Sequence, residues 1–101
     1  PTFISPVNGE FVNADVTLGA RADSLYEYLL KQWLFSGGTD ARVRQMYDDS
    51  VASIAEHLVA SGGQTRCNNC TFLRQWNHRT KVYSEKMDHL VCFVPGMLAL
   101  G

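Results

Sequence analysis

Charge of one sign is what this sequence most plainly lacks. Nine lysines and arginines are scattered among ten acidic residues, for a formal net charge of −1. A chain so balanced presents no footprint for a polyanion, and nucleic acid is excluded as an expected partner. Long apolar runs are missing as well, since none approaches the roughly 18 residues of a membrane span. No signal peptide is present, and the chain begins at Pro1 without a methionine and stops at Gly101 inside an apolar run. Both ends read as cut. The expectation is a piece of a larger domain, residues 1–101, incomplete at each end and with no internal boundary.

Cysteine is sparse and odd in number, at three. Cys67 and Cys70 form a Cys-x-x-Cys, with His78 and His89 downstream. The spacings miss the usual zinc-finger patterns, and no βαβ pattern surrounds the pair as a redox motif requires. A local disulfide or two free thiols remain open. Cys92 stands alone in an apolar stretch, and in an oxidising compartment it needs a partner beyond Gly101. Asn69-Cys70-Thr71 is the only glycosylation sequon, which makes Asn69 a possible N-glycosylation site and points to the secretory route.

What is present is apolar and helical. A hydrophobic fraction of 46% belongs to a globular protein. From Ser24 to about Phe35, apolar side chains including Leu25, Tyr28, Leu29 and Trp33 point all round the helix, which therefore needs apolar neighbours on most faces. Ser24 and Glu27 read as a capping box that starts this helix just after Asp23. Gly37-Gly38 stops it. Thr39-Asp40 offers the next N-cap, and Val43, Met46, Tyr47, Val51, Ile54 and Leu58 recur at helical spacing to about Ala60. Together these make an αα-hairpin. Before it, Asn8-Gly9 between apolar residues suggests a β-hairpin with a type I′ turn. After it, Thr71–Trp76 and Lys81–Glu85 read as a second hairpin. A last helix follows Asp88, with Pro95-Gly96 expected to kink it or end it one turn early. About 100 residues cannot bury two all-apolar helices on every side, so large exposed apolar surfaces are expected.

Two places could carry chemistry. Arg21 and Asp23 stand two residues apart at the mouth of the first helix, where the dipole favours a charged carboxylate. They form either a helix-start ion pair or part of a site, and the neighbouring small residues would let a ligand approach the backbone. Asp88-His89 lies at the start of the last helix in the same way. If the two helix starts converge, their carboxylates and imidazole suit vicinal hydroxyls of a sugar, and paired carboxylates supply acid and base for glycosidic cleavage.

Thr17-Leu18-Gly19-Ala20-Arg21-Ala22-Asp23-Ser24, followed by Tyr26-Glu27-Tyr28-Leu29-Leu30-Lys31-Gln32-Trp33, resembles the signature of class I α-mannosidases, glycoside hydrolase family forty-seven. Lys86-Met87-Asp88-His89-Leu90-Val91-Cys92-Phe93, with Pro95-Gly96 and Leu98-Ala99-Leu100-Gly101, resembles that family's next block in the same order. The resemblance implies a mainly α fold, a fragment of an (αα)7 barrel with short β-hairpins. It implies a calcium-dependent, inverting glycosidase that removes terminal α-1,2-linked mannose from high-mannose N-glycans. The compartment it implies is the endoplasmic reticulum or early Golgi lumen, with the parent protein a type II membrane protein anchored through a segment outside these residues.

By the same resemblance Asp23 matches an essential acid, cast as acting through water. His89 matches a histidine near the bound mannose, and Asp88 the acidic residue preceding it. Arg21 matches an arginine of the endoplasmic-reticulum type that grips the glycan and guides branch choice. Cys92 matches half of a disulfide whose other half lies downstream. The Ca2+ ligands and the remaining acids are expected outside residues 1–101, so the fragment alone is expected to be inactive. Leu25 and Met97 depart from the family pattern, which normally has an aromatic and often a small residue there. The alternative is a mannose-binding relative acting in degradation of misfolded glycoproteins with little or no hydrolysis.

Overall fold

The fold is known from a computed structural model that describes residues 1–62 and 70–101. Cys67 and Asn69 lie outside the described residues. Strand β1 (Asp15–Val16) leads into helix α1 (Asp23–Phe35), which turns back into α2 (Ala41–His57). Four short strands follow, β2 (Val59–Ser61), β3 (Thr71–Leu73), β4 (Gln75–Asn77) and β5 (Val82–Ser84). A 3₁₀ helix (His89–Phe93) then runs directly into α3 (Val94–Leu100). The described chain is mainly α with two small antiparallel sheets.

The helix pair is the αα-hairpin its periodicity requires. Leu29 and Leu30 of α1 meet Val43, Tyr47 and Ile54 of α2, whose spacing places them on one stripe. Val91, Val94 and Met97 close the core from the C-terminal side. The link between α1 and α2 is a Schellman motif, in which the Gly38 N–H donates to the Trp33 carbonyl (3.1 Å) and the Gly37 N–H to that of Leu34 (3.0 Å). Gly37 and Gly38 have φ of 68° and 77°, which only glycine adopts freely. Asp40 caps α2 by accepting from the Val43 N–H at 3.2 Å.

Five local expectations are corrected. The capping box does not form: α1 begins at Asp23, its N-cap is Ala22 without a side-chain bond, and Glu27 instead pairs with Lys31 one turn on. The first hairpin is a single bridge, Ile4 to Phe11, closed by a longer loop in which Gly9 alone turns left-handed (φ 73°), so its turn is not type I′. Helix α2 ends at His57 rather than near Ala60. Arg74 draws the chain off there, since its N–H donates to the Leu58 carbonyl (2.9 Å) and its Nε to that of His57 (3.4 Å). The segment Thr71–Trp76 is accordingly two strands broken at Arg74, β3 pairing with β2 and β4 lying between β1 and β5. Finally, Pro95 does not interrupt a helix. It occupies the first turn of α3, where a missing N–H costs nothing, and the residues before it wind as 3₁₀.

The expected exposed apolar surface is present. Leu25, Tyr28, Leu34 and Phe35 of α1 all face outward, Phe35 at 85% exposure. The Cα radius of gyration, 14.7 Å, exceeds the roughly 13 Å usual for about 100 residues packed as a globule.

Candidate active site

The site is built on the turn before α1. Leu18 and Ala22 are buried and anchor it, so that Ala20 and Arg21 are carried outward between them. The N–H groups of Ala22 and Asp23 both donate to the Gly19 carbonyl at 3.1 Å. Arg21 has φ of 76° and occupies the third place of this turn, the position where a type II turn prefers glycine or asparagine. A side chain there costs about 1–2 kcal/mol of backbone strain, which persists only where the surroundings fix it.

Arg21 and Asp23 do not form an ion pair among the described residues. The guanidinium instead lies over the Phe3 ring, 4.7 Å from its centroid. The helix-start ion-pair reading is thereby set aside. Asp23, half-buried in the first turn of α1, keeps its carboxylate in the positive field of the helix N-terminus.

Asp88 comes to the same turn from the other end of the chain. Its backbone is extended and its Oδ1 accepts from the Leu90 N–H at 2.9 Å, capping the 3₁₀ helix. The Ala20 N–H also lies near this carboxylate and favours its charged form. Hydrogen bonding from Leu90 first, then the Ala20 N–H, with His89 and Lys86 nearby, holds the Asp88 carboxyl below its ordinary range against the opposing effect of desolvation. His89 Nδ1 is 3.4 Å from Asp88 Oδ1, and the imidazole is 91% exposed.

The two helix starts therefore converge, as the sequence suggested, but on an open edge rather than inside a closed pocket. Cavities of about 440 Å³ and 360 Å³ lie elsewhere, the first between α2, β3 and α3, the second between α2 and Trp76. The small residue expected to admit a ligand admits Asp88 instead. A Cβ added to the buried Gly19 would stand 2.7 Å from the Asp88 Cβ. Neither this contact nor the seat of Arg21 on Phe3 was visible in the sequence, because both partners lie far along the chain. Of the other candidate ligands, Cys70 is disulfide-bonded, Cys92 is exposed and has no disulfide partner among the described residues, and His78 Nδ1 is 2.8 Å from the Ala14 carbonyl.

The turn before α1 and the start of the 3₁₀ helix thus meet at a polar edge that carries a carboxylate, an imidazole and a guanidinium. The chain belongs to glycosyl hydrolase family 47, whose family model matches residues 1–101. It is 42% identical over 103 residues to mannosyl-oligosaccharide 1,2-alpha-mannosidase IC of Homo sapiens, covering 100% of this chain and 15% of that protein. It is 45% identical over 102 residues to the endoplasmic reticulum mannosyl-oligosaccharide 1,2-alpha-mannosidase of Mus musculus, again 100% of this chain and 15% of the relative. To the human protein of that same name it is 43% identical over 102 residues, covering 100% of this chain and 14% of the relative. The chain thus spans about 15% of the length of the curated relatives it matches.

Proposed function

We propose that this chain is part of the catalytic domain of a mannosyl-oligosaccharide 1,2-α-mannosidase, which removes terminal α-1,2-linked mannose from high-mannose N-glycans. The observation that carries this reading is the match of the whole chain to relatives so named. The surrounding architecture is a closed barrel of helical hairpins, in which the outward apolar face of α1 is covered by neighbouring hairpins. The location is the lumen of the endoplasmic reticulum, in keeping with relatives named for that compartment. The parent is anchored in the membrane through a segment outside these residues, and Cys92 pairs with a cysteine also outside them.

Cleavage with inversion needs two carboxyl groups about 6.5–9.5 Å apart, with the attacking water between them and the sugar. Asp23 is one of these groups and acts as acid, delivering its proton through a water. Its seat in the first turn of α1 fixes the carboxylate against a rigid element, as proton transfer over a hydrogen-bond distance requires. The exposed His89 imidazole hydrogen-bonds the mannose hydroxyls, and Arg21 holds the glycan beyond it and biases which branch is trimmed. Asp88 lies between them. Calcium is expected to be held by residues outside this chain. Among the described residues no cluster of three or more His, Cys, Asp or Glu could hold a metal ion, and the roles given to Asp23, Arg21 and His89 do not pass through one.

The test is hydrolysis by the full-length protein of a high-mannose N-glycan, with the anomer of the released mannose followed by NMR. Release of β-mannose from α-1,2 termini is expected. Binding without release, or release of the α-anomer, overturns the proposal.

A further inference from the structure

We infer that Asp88 is a positioning residue, which together with the Cβ-free surface of Gly19 clasps the strained Gly19–Ala22 turn and so sets the aim of Arg21 and Asp23. The inference rests on the proposed glycosidase and changes how one of its residues works.

Three observations converge on the clasp. Arg21 holds a left-handed backbone (φ 76°) that its side chain disfavours, so the turn must be fixed from outside. The Ala20 N–H takes no part in the turn's own hydrogen bonds, which run from Ala22 and Asp23 to Gly19, and is left near the Asp88 carboxylate, whose charged form it favours. Gly19 is buried, and a Cβ on it would meet Asp88 at Cβ (2.7 Å), Cγ (3.1 Å) and Oδ2 (3.2 Å). Real Cβ atoms do not approach so closely, so the carboxylate reaches Ala20 only because residue 19 is glycine.

Asp88 thus holds two segments, accepting from the Leu90 N–H at 2.9 Å on one side and lying against Gly19 beside the Ala20 N–H on the other. The first contact fixes the start of the 3₁₀ helix that carries His89. The other fixes the turn that carries Arg21 and leads into Asp23. A single carboxylate keeps the imidazole, the guanidinium and the acid in register. A displacement of about 1 Å in such a constellation costs up to about a hundredfold in rate.

The experiment compares Asp88→Ala, Asp88→Asn, Gly19→Ala and the Gly19→Ala/Asp88→Ala double variant in the full-length protein, with a high-mannose N-glycan as substrate. Both alanine variants are expected to lower kcat by about tenfold to a hundredfold with KM little changed. The double variant should be no worse than the more damaged single, because each releases the same turn. Asp88→Asn keeps one acceptor oxygen and should fall between wild type and Asp88→Ala. It also carries the test if Asp88→Ala does not fold. A rise in KM at unchanged kcat would mean that Asp88 grips the glycan directly, and multiplying effects would mean that the two residues act apart. Either result overturns the clasp. Amide hydrogen exchange gives a readout free of activity: Ala20 should exchange faster in Asp88→Ala, and unchanged exchange there overturns the inference. Absence of hydrolysis in the wild type overturns the proposed function alone.

Discussion

The guanidinium of Arg21 rests on the ring of Phe3, 4.7 Å from its centroid, while the Arg21 backbone stays left-handed at φ 76°. Attraction and strain meet at one residue, and two substitutions separate them. Arg21→Leu and Arg21→Gly both remove the guanidinium, and with it about 0.5–1 kcal/mol of contact with the exposed ring. Leucine keeps the backbone penalty of about 1–2 kcal/mol, whereas glycine exchanges it for about 0.5–1 kcal/mol of chain entropy. Arg21→Gly should therefore be the more stable of the two by roughly 0.5–1 kcal/mol, read by denaturant unfolding of the full-length protein. Both should broaden the pattern of product isomers more than they slow the reaction. Equal stabilities would remove the strain argument, and an unchanged isomer pattern would remove the role in branch choice.

Asp23→Asn should lower turnover by about a hundredfold to ten-thousandfold, the usual contribution of a positioned acid or base, with glycan affinity largely kept. Asparagine fits the same volume at the start of α1 but cannot deliver the proton. Single-turnover kinetics and glycan titration calorimetry on the full-length protein separate the two quantities. Turnover near that of wild type would rule Asp23 out as the acid.

Local pattern made the helices legible and long-range pairing hid the rest. The stripe from Val43 to Leu58 and the Gly37-Gly38 stop depend on neighbours within a turn or two, and both stand in the structure. The end of α2 was misplaced because Val59 and Ala60 continue the apolar run, while the residue that diverts the chain, Arg74, lies well downstream. Strand β1 went unread for the same reason: two residues, Asp15 and Val16, become a strand only through their partners Asn77 and Trp76. In the candidate site, Asp23 and Asp88-His89 were singled out by their place at helix starts, where the structure also has them. The clasp at Gly19 was not, since a glycine in sequence says only that something comes close and leaves open what.

Trp76 should prove structural and remote from the chemistry. Its ring stacks on His57 at 5.1 Å and on Tyr83 at 6.1 Å, joining the three-stranded sheet to the end of α2. Truncation of a large aromatic side chain in such packing costs about 3 kcal/mol, with Trp76→Phe losing less. The thermal midpoint of Trp76→Ala should fall clearly, while kcat of the folded protein at a permissive temperature stays within about twofold. A drop in kcat at full folding would tie this stack to the site.

Asp88 gives the clearest pH dependence. Its carboxyl is held below the ordinary value of 3.8, chiefly by the Leu90 N–H and then by that of Ala20. A depressed folded value means that the unfolded chain takes up the proton first as pH falls. The stabilisation is therefore complete above the ordinary value and is lost as pH drops through the lowered one. Asp88→Asn keeps the Oδ1 cap on Leu90 and removes the charge, so wild type and variant should differ at pH 6 and converge as pH falls below about 4. Other carboxylates titrate alike in both proteins and cancel in the difference. Denaturant midpoints of the pair across this range measure it directly. A gap that persists or widens in acid would mean that the charge on Asp88 contributes nothing to holding the turn.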